Sequence, residues 1–428
     1  MSKLTTSFVR AKYAIETPFE PWQTAEKIAG EQSTGTFVAV PGETAAVKER
    51  SAARIVNVEV TDIASAPSLP GSKTPSGHDG RYYRCEVELE FPFHNFGPSI
   101  PNLLAAVAGN LFELQELSGI RLIDLELPEA FAAAYPGPKF GMEGTRRLTG
   151  VRGRPVIGTI VKPSIGLTIE ELRPVVRELA MAGLDFIKDD ELCANPTFAP
   201  FEERVKAVME EIERGADRTG RKAMYAFNIT GDIDELRRNH DTVLAAGGTC
   251  VMVSLQSIGL AGLAYLNRYS QLPIHGHRNG WGMMTRCPSL GMEFAVYQKL
   301  CRLAGADHLH VNGFDSKFYE SNESVLKSIR AVRQPLFGGY EAVPVLSSGQ
   351  SAATAEDTYK LTGTVDLLNV AGGGIMAHPG GPASGVVSMR QAWEAAVAGI
   401  DASQYAKTRP ELRQALEKFG KPSKEGRP

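Results

Sequence analysis

Apolar and polar residues recur with one period in the first third of the chain and another in the rest. Residues 54–61 carry Val56, Val58 and Val60 on alternate positions, the period of a strand. Further on, Tyr83, Cys85, Val87, Leu89 and Phe91 alternate with Arg84, Glu86, Glu88 and Glu90, which predicts an antiparallel strand wet on one face. Helices are expected over 18–31 and 100–114, with Asn110 near the end of the second. Between them, the polar loop Gln32-Ser33-Thr34-Gly35-Thr36 leads into the apolar run Phe37-Val38-Ala39-Val40. The Pro-, Ser- and Gly-rich segment 62–80 reads as an exposed excursion. Helices laid on one face of an antiparallel sheet make an α+β domain, ferredoxin-like in kind, expected over residues 1–145.

From Pro155 the texture changes to apolar strands alternating with amphipathic helices. Strands are expected at 156–161, 184–188, 223–229, 250–255, 272–277, 308–311, 343–347 and 367–371. Thr168-Ile169-Glu170-Glu171 and Asp232-Ile233-Asp234-Glu235 carry the spacing of helix N-terminal caps. Pro174 should bend the first of these helices or delay its start. Eight strand–helix units over about 250 residues specify a (β/α)8 TIM barrel, expected over 146–428 with C-terminal helices. An open doubly wound sheet usually has fewer strands and a glycine fingerprint after the first, and no G-x-G-x-x-G follows Val161. The class is therefore α/β.

Composition narrows the setting. At 428 residues, 43% hydrophobic and 22% charged, with net charge −3 and no basic block, the chain reads as a soluble protein with no affinity for nucleic acid or a membrane surface. No apolar run has the length needed to span a bilayer, and the first residues lack the apolar core of a signal peptide. Cys85, Cys193, Cys250, Cys287 and Cys301 are scattered and odd in number, as expected of reduced thiols in a cytoplasm.

The barrel gives the polar residues a place to meet, because active sites of this fold lie at the C-terminal strand ends. There the sequence puts Lys162, then Lys188 with Asp190 and Glu191, Asn228, Ser254, His275 with His277 and Arg278, His310, Ser347 with Ser348, and Gly372-Gly373-Gly374. The run Gly183-Leu184-Asp185-Phe186-Ile187-Lys188-Asp189-Asp190-Glu191 dives into a core and ends in one amine and three carboxylates. Buried charge is costly unless paired or metal-bound, so such a strand presents its charges at an opening. Asp190 and Glu191 are hard oxygen donors suited to Mg²⁺. Lys188 faces the same side of an extended strand as Asp190, either as counter-ion or, if its amine were modified to carry negative charge, as a third ligand. The glycine triplet fits a backbone phosphate cradle, or else a plain tight turn. Arg278, His310 and Ser348 could hold a second anion. Lys162 is a candidate general base if desolvation lowers its pKa. His275-Gly276-His277 is an H-x-H pair of the kind that binds zinc, but metal-dependent hydrolases on this fold carry theirs on the first strand. His275 is more simply a hydrogen-bonded core residue.

These residues resemble the RuBisCO superfamily over nearly the whole chain. The resemblance rests on Lys162-Pro163, Asp185 to Glu191, His275-Gly276-His277-Arg278, Asp307-His308-Leu309-His310 followed by Lys317, Ser348-Gly349, and Gly372-Gly373-Gly374 with His378-Pro379. Glu31 with Ser33-Thr34-Gly35-Thr36, and Gly109-Asn110, look like that family's segments reaching into a neighbouring subunit's site, which implies at least a homodimer. The resemblance further implies a carbamylated Lys188 binding one Mg²⁺ with Asp190 and Glu191, and Lys162 as the base for enolisation. His277 would assist proton transfer, and Lys317, on the loop after the sixth strand, would hold a carboxylate. Arg278, His310 and Ser348 would line one phosphate or polyol end, and Thr36, Gly349, Gly372 and Gly373 the other.

The departures point to a branch. Carboxylases of the family read Lys-Pro-Lys after strand one, whereas here the second lysine is Ser164. Phe37 replaces a tryptophan, Gln350 a glycine and Val370 a glutamine. Losing the second amine undermines carboxylation, so the chain is similar to RuBisCO-like proteins that do not carboxylate. Lys317 selects among them, since its ammonium would pair with a substrate carboxylate. The expected reaction is decarboxylation, or carboxyl transfer with hydrolysis, of a 3-oxo sugar-acid phosphate of the 3-oxo-isoapionate 4-phosphate type. The rivals are an enolase or isomerase of a (methylthio) sugar phosphate, and a non-catalytic regulatory protein.

Overall fold

The computed structural model describes residues 7–420 apart from 37 and 39. Phe37 and Ala39 of the apolar run therefore lie outside the described residues, and Val38 and Val40 are exposed and belong to no strand. The chain forms two compact units, Met1–Pro136 with Gly280–Leu303, and Gly137–Asn279 with Ala304–Pro428.

In the first unit, strands β1 (Phe8–Thr17), β2 (Arg54–Ala64), β3 (Tyr82–Pro92) and β4 (Gly119–Glu126) lie in the order β4-β1-β3-β2, all antiparallel. Helix Pro21–Glu31 connects β1 to β2, and helix Ile100–Val107 lies between β3 and β4, which is the ferredoxin-like arrangement. Register explains why it holds. Val9, Ala11, Tyr13 and Ile15 of β1 sit opposite Phe91, Leu89, Val87 and Cys85 of β3, so apolar meets apolar on one face. On the other face Arg10 pairs with Glu90 at 2.8 Å and Lys12 with Glu86 at 2.5 Å. Tyr13 anchors the second helix by donating from its hydroxyl to Val107 O at 2.7 Å.

Two expectations need correcting. Helix 100–114 ends early, at Val107, and Asn110 opens a separate 3-10 turn, Asn110–Glu113. Strand β2 is an edge strand with register shifts near Ile55/Asn57 and Val60/Asp62, which leave Val56 and Val60 43% and 48% exposed.

The second unit is a closed barrel of eight parallel strands. Its first five are β5 (Val156–Ile160), β6 (Phe186–Lys188), β7 (Met224–Asn228), β8 (Cys250–Ser254) and β9 (Ile274–His277). The chain then returns to the first unit, where β10 (Leu290–Met292) adds a parallel edge to β4. Arg121, buried, secures that edge by donating to Glu293 Oε1 (2.8 Å), Cys287 O (2.6 Å) and Thr285 Oγ1 (2.8 Å). The barrel resumes with β11 (His308–Asn312), β12 (Val343–Ser347) and β13 (Leu368–Val370), which closes on β5.

Val156, Phe186, Met224, Ala226, Met252, Val345 and Leu368 are among the buried side chains that fill the barrel core. Gly158 is required there, because a Cβ would lie 2.8 Å from the Phe186 ring. Helix Ile169–Met181 starts at Thr168 with the capping box complete, so Pro174 sits inside it without delaying its start. Asp307, at the N-terminal end of β11, ties the barrel floor together. It accepts from Phe140 N (2.6 Å), Gly141 N (3.1 Å) and Ile274 N (2.9 Å). Among the described residues no helix is long and apolar enough to cross a membrane.

Candidate active site at the strand ends

Strand β6 buries Lys188 completely while carrying it to the barrel mouth. Its ammonium donates to Asp189 O at 2.7 Å and lies 3.8 Å from Glu191 Oε2. Burial pulls the amine's pKa down, against the carboxylates of Glu191, Asp190 and Asp189, and burial wins. The neutral amine is thus more accessible here than on a solvated lysine.

The three carboxylates that follow have different surroundings. Asp189 turns into the barrel wall, accepting from Tyr225 Oη at 2.7 Å and Asn228 N at 2.9 Å, with Arg204 Nη2 at 3.4 Å. Asp190 faces the mouth and takes Lys162 Nζ at 2.7 Å. Burial alone would raise the Asp190 pKa, but hydrogen bonds from Lys162, the Leu192 N–H and Ser164 outweigh it and hold it below the usual range. Glu191 lies between Lys188 and His277, whose Nε2 is 3.4 Å away. Asn228 fixes this turn by donating from Nδ2 to the carbonyls of Asp190 and Glu191, each at 3.2 Å. The role of that amide could be read from the sequence only as a polar strand end.

Lys162, from the end of β5, also donates to Ser164 Oγ at 2.7 Å. A Cβ on Gly372 would lie 3.6 Å from Lys162 Cε, so the glycine run after β13 approaches the same lysine. Gly372–Met376 forms a single helical turn, and the first N–H groups of such a turn have no partner within it. Ser348 and Gly349 follow β12 with φ of 64° and 72°, left-handed backbone that turns the loop sharply. Under them the buried Gln350 donates to Ser348 O at 3.2 Å and accepts from Asn369 at 2.9 Å.

His277 Nδ1 meets Asn279 Oδ1 at 2.9 Å, which leaves Nε2 toward Glu191. Burial, helped by the Lys188 charge, lowers its pKa to about 4. Its neighbour two positions back does not join it in a metal site. His275 contacts His308 at 3.2 Å and His310 at 2.7 Å, so both its ring nitrogens are engaged, as expected of a core histidine. Among the described residues no group of three His, Cys, Asp or Glu side chains forms a ready metal site. Arg278 pairs with the buried Glu320 carboxylate at 3.1 Å. Nothing in the sequence singled out Glu320, a loop residue whose partner only folding reveals.

Lys162, Lys188, Asp190, Glu191 and His277 thus form one cluster, with Gly372 against Lys162. Lys317 is exposed, with its ammonium 5.3 Å from the Phe318 ring centre, and no bond from it to that cluster is seen among the described residues. In the first unit Glu31 and Asn110 are both exposed. They are brought together by Gln32, whose amide donates to Ala105 O (2.8 Å) and accepts from Asn110 N (3.0 Å) in the orientation that satisfies both of its ends. The Thr36 hydroxyl is turned to Val38 O and the Glu43 carboxylate.

Known proteins share this fold. Residues 141–419 match the catalytic domain of the ribulose bisphosphate carboxylase large chain, and residues 9–131 match its N-terminal domain. The chain belongs to the RuBisCO large-chain family. It is similar to the 3-oxo-isoapionate-4-phosphate transcarboxylase/hydrolase of Xanthobacter autotrophicus, with 56% identity across 95% of this chain and 98% of the relative. It is also similar to the 3-oxo-isoapionate-4-phosphate decarboxylase of Rhizobium etli, with 48% identity across 95% of this chain and 97% of the relative. The crystal structure of a rubisco-like protein from Burkholderia fungorum superposes with a TM-score of 0.89 at 45% identity, covering 96% of this chain and 99% of that one. Within its family the chain is RuBisCO-like.

Proposed function

We propose that the protein is a Mg²⁺-dependent enzyme that breaks the bond to the carboxylate of a 3-oxo sugar-acid phosphate of the 3-oxo-isoapionate 4-phosphate type, by decarboxylation or by carboxyl transfer and hydrolysis. One observation carries this reading. At the mouth a single amine, Lys162, is held between Asp190 and the Ser164 hydroxyl, both at 2.7 Å. A second lysine in place of Ser164, as carboxylases have, would set another ammonium beside the first. With a hydroxyl there, Lys162 is left to manage one proton. The similarity to relatives named for this substrate supports the same assignment.

The residues fit a hard divalent cation. Asp190 and Glu191 supply carboxylate oxygens, and the buried Lys188 amine, whose pKa burial lowers, can take up CO₂ through its neutral form as a carbamate and so add a third anionic oxygen ligand. When bound, Mg²⁺ supplies Lewis-acid stabilisation for the oxygen on which negative charge develops. When the carbon–carbon bond breaks, its electron pair passes into the adjacent 3-oxo group as an enolate. Lys162 delivers or removes the proton at the carbon involved, and His277, neutral near pH 7, assists through Nε2.

Lys317 holds the departing carboxylate once its loop carries it inward. The N–H groups of Gly372, Gly373 and Gly349, with Thr36, take the phosphate, while Arg278, His310 and Ser348 line the polyol end. Glu31 and Asn110 act in a neighbouring copy's site, in at least a homodimer. The cytoplasm is the setting that suits five free thiols.

Incubation with 3-oxo-isoapionate 4-phosphate, Mg²⁺ and bicarbonate tests the assignment. Release of CO₂ or glycolate with a phosphorylated co-product supports it. Solvent deuterium entering a sugar phosphate without bond cleavage would replace it with the isomerase reading.

A further inference from the structure

The end of the site that Arg278 and His310 line carries features that a phosphate-binding end should not have. Arg278 already has an anionic partner. The Glu320 carboxylate lies 3.1 Å from its Nη1 and is itself only 5% exposed, held by Asn312 Nδ2 at 2.5 Å and Ser324 Oγ at 2.8 Å. A phosphate arriving at Arg278 would meet that carboxylate.

The second feature is a line of buried imidazoles running through the barrel core. Thr145 Oγ1 is 2.7 Å from His308 Nε2, His308 Nδ1 is 3.2 Å from His275 Nδ1, His275 Nε2 is 2.7 Å from His310 Nε2, and His310 Nδ1 is 3.2 Å from Ser347 Oγ. Burial lowers the pKa of all three rings, that of His308 to about 3, so each is neutral and carries one N–H and one lone pair. One proton position then sets all the others.

The Thr145 end decides it. Its hydroxyl oxygen lies 2.6 Å from Gly141 O, too short for two oxygens without a proton between them, so Thr145 donates there and accepts from His308 Nε2–H. His308 Nδ1 is then a lone pair and His275 donates to it from Nδ1–H. His275 Nε2 accepts from His310 Nε2–H, and His310 is left with a lone pair on Nδ1, facing the Ser347 hydroxyl. The competing contact at the other end, Ser347 Oγ to Val311 O, is 3.4 Å and requires no proton.

We propose that this end of the site is built to receive an uncharged, hydroxyl-bearing part of the substrate, with Glu320 as a specificity-determining residue and Thr145, His308 and His275 as positioning residues for His310. With its proton given to His310 Nδ1, Ser347 Oγ is an acceptor, and so is the Glu320 carboxylate; both suit substrate hydroxyls, and the Glu320 charge is hostile to a second phosphate. The assignment rests on the reading above of a polyol acid phosphate as substrate, and gives that substrate one phosphate, at the glycine end.

Two unreactive ligands test it on the full protein with Mg²⁺ and bicarbonate present, ribitol 5-phosphate and ribitol 1,5-bisphosphate. The wild type should bind the monophosphate at least as tightly as the bisphosphate, and Glu320→Gln should shift that ratio at least tenfold toward the bisphosphate. A tenfold wild-type preference for the bisphosphate, or a ratio unmoved by Glu320→Gln, would overturn the proposal. Nitrogen-15 NMR of the histidines gives a second reading that a merely structural role would not move. His308 and His310 should be Nε2–H and His275 Nδ1–H, both free and with ribitol 5-phosphate bound, and Thr145→Val should mix these tautomers. Nδ1–H at His310 in the ligand-free protein overturns the proposal whether or not the 3-oxo acid is cleaved, so its failure is distinct from failure of the assigned reaction.

Discussion

Two adjacent carboxylates, Asp189 and Asp190, should respond to the same substitution in opposite ways. In Asp189→Asn the amide can keep two of the three contacts. Its Nδ2 can donate to Tyr225 Oη, which turns to accept, and its Oδ1 can still accept from Asn228 N. What it cannot replace is the negative charge beside Arg204, a fully buried guanidinium. Breaking a buried ion pair costs about 3–5 kcal/mol. Arg204 keeps the carbonyls of Ala199 at 3.1 Å, Cys193 at 3.3 Å and Ala194 at 2.5 Å, which puts this case at the lower end. A loss of about 3 kcal/mol lowers the melting midpoint of a domain this size by roughly 6–12 °C. Asp190→Asn removes a carboxylate whose partner, Lys162, is 39% exposed and can turn to water, so its stability change should stay below about 1 kcal/mol. Activity should invert that order. Asp190→Asn should abolish turnover at any Mg²⁺ concentration, whereas Asp189→Asn should keep a measurable Mg²⁺ response below its lowered midpoint. Differential scanning calorimetry with Mg²⁺ titrations of activity reads both. An Asp189→Asn protein that melts like the wild type but has lost its Mg²⁺ dependence would refute the division of labour.

Other outcomes follow from the same contacts. Lys317→Ala should lower turnover at least a hundredfold while shifting the melting midpoint by less than a degree or so, because the side chain is exposed; unchanged turnover removes the carboxylate argument. Lys188→Met should fold and yet lose activation by bicarbonate, read as activity against CO₂ concentration, since a buried thioether accepts no carbamate. Stability should fall steeply on acidification. His275, His308 and His310 are neutral when folded, with pKa values depressed by burial, whereas unfolded histidine titrates near 6.5, so their stabilisation is present above that pH and lost as pH drops toward about 4. Burial raises the Asp307 pKa to about 6, which works the other way as one group. With His277, lowered to about 4, four histidines against one aspartate leave roughly three protons, or about 4 kcal/mol per pH unit between pH 6 and 4. Denaturant midpoints across that range check the slope, and a flat profile would contradict the buried neutral chain.

Much of the barrel could be read from the sequence because each strand is an apolar run bounded by polar turns, and all eight lie where that pattern places them. The first sheet is less legible. Strand β1 is not among the predicted elements, although Val9, Ala11, Tyr13 and Ile15 alternate clearly along it. Strand β10, three residues after a stretch of loop, has no local signature at all and exists because Arg121 and β4 hold it. At the site, Lys188, Asp190 and Glu191 announce themselves by ending an apolar run in charge. Glu320 and Ser164 do not, because what matters about each is a partner distant in sequence or a residue type that is missing.

The departures at the site point in one direction. A carboxylase must hold two phosphates and manage charge with two lysines at the first strand end. Here the second lysine is a hydroxyl that bonds Lys162, and the arginine at the far end is matched by a buried carboxylate. Ser164 removes a positive charge at the first strand end, and the Glu320 carboxylate offsets that of Arg278 at the far end, while the cluster suited to a cation at β6 is kept. A substrate with one phosphate and one carboxylate needs fewer positive groups than a bisphosphate. On the proposed reading the glycine run would take the phosphate through its backbone, and Lys317 would meet the carboxylate. Restoring charge at one end alone therefore should not restore carboxylation. Ser164→Lys would set a second ammonium beside Lys162 and weaken its hold on Asp190, while Glu320 still opposes a phosphate at Arg278. Activity toward the 3-oxo acid should fall by at least tenfold, with no gain of carboxylation of ribulose 1,5-bisphosphate measured by fixed ¹⁴CO₂. Appearance of that carboxylation in the single variant would show that the far end accepts a second phosphate after all.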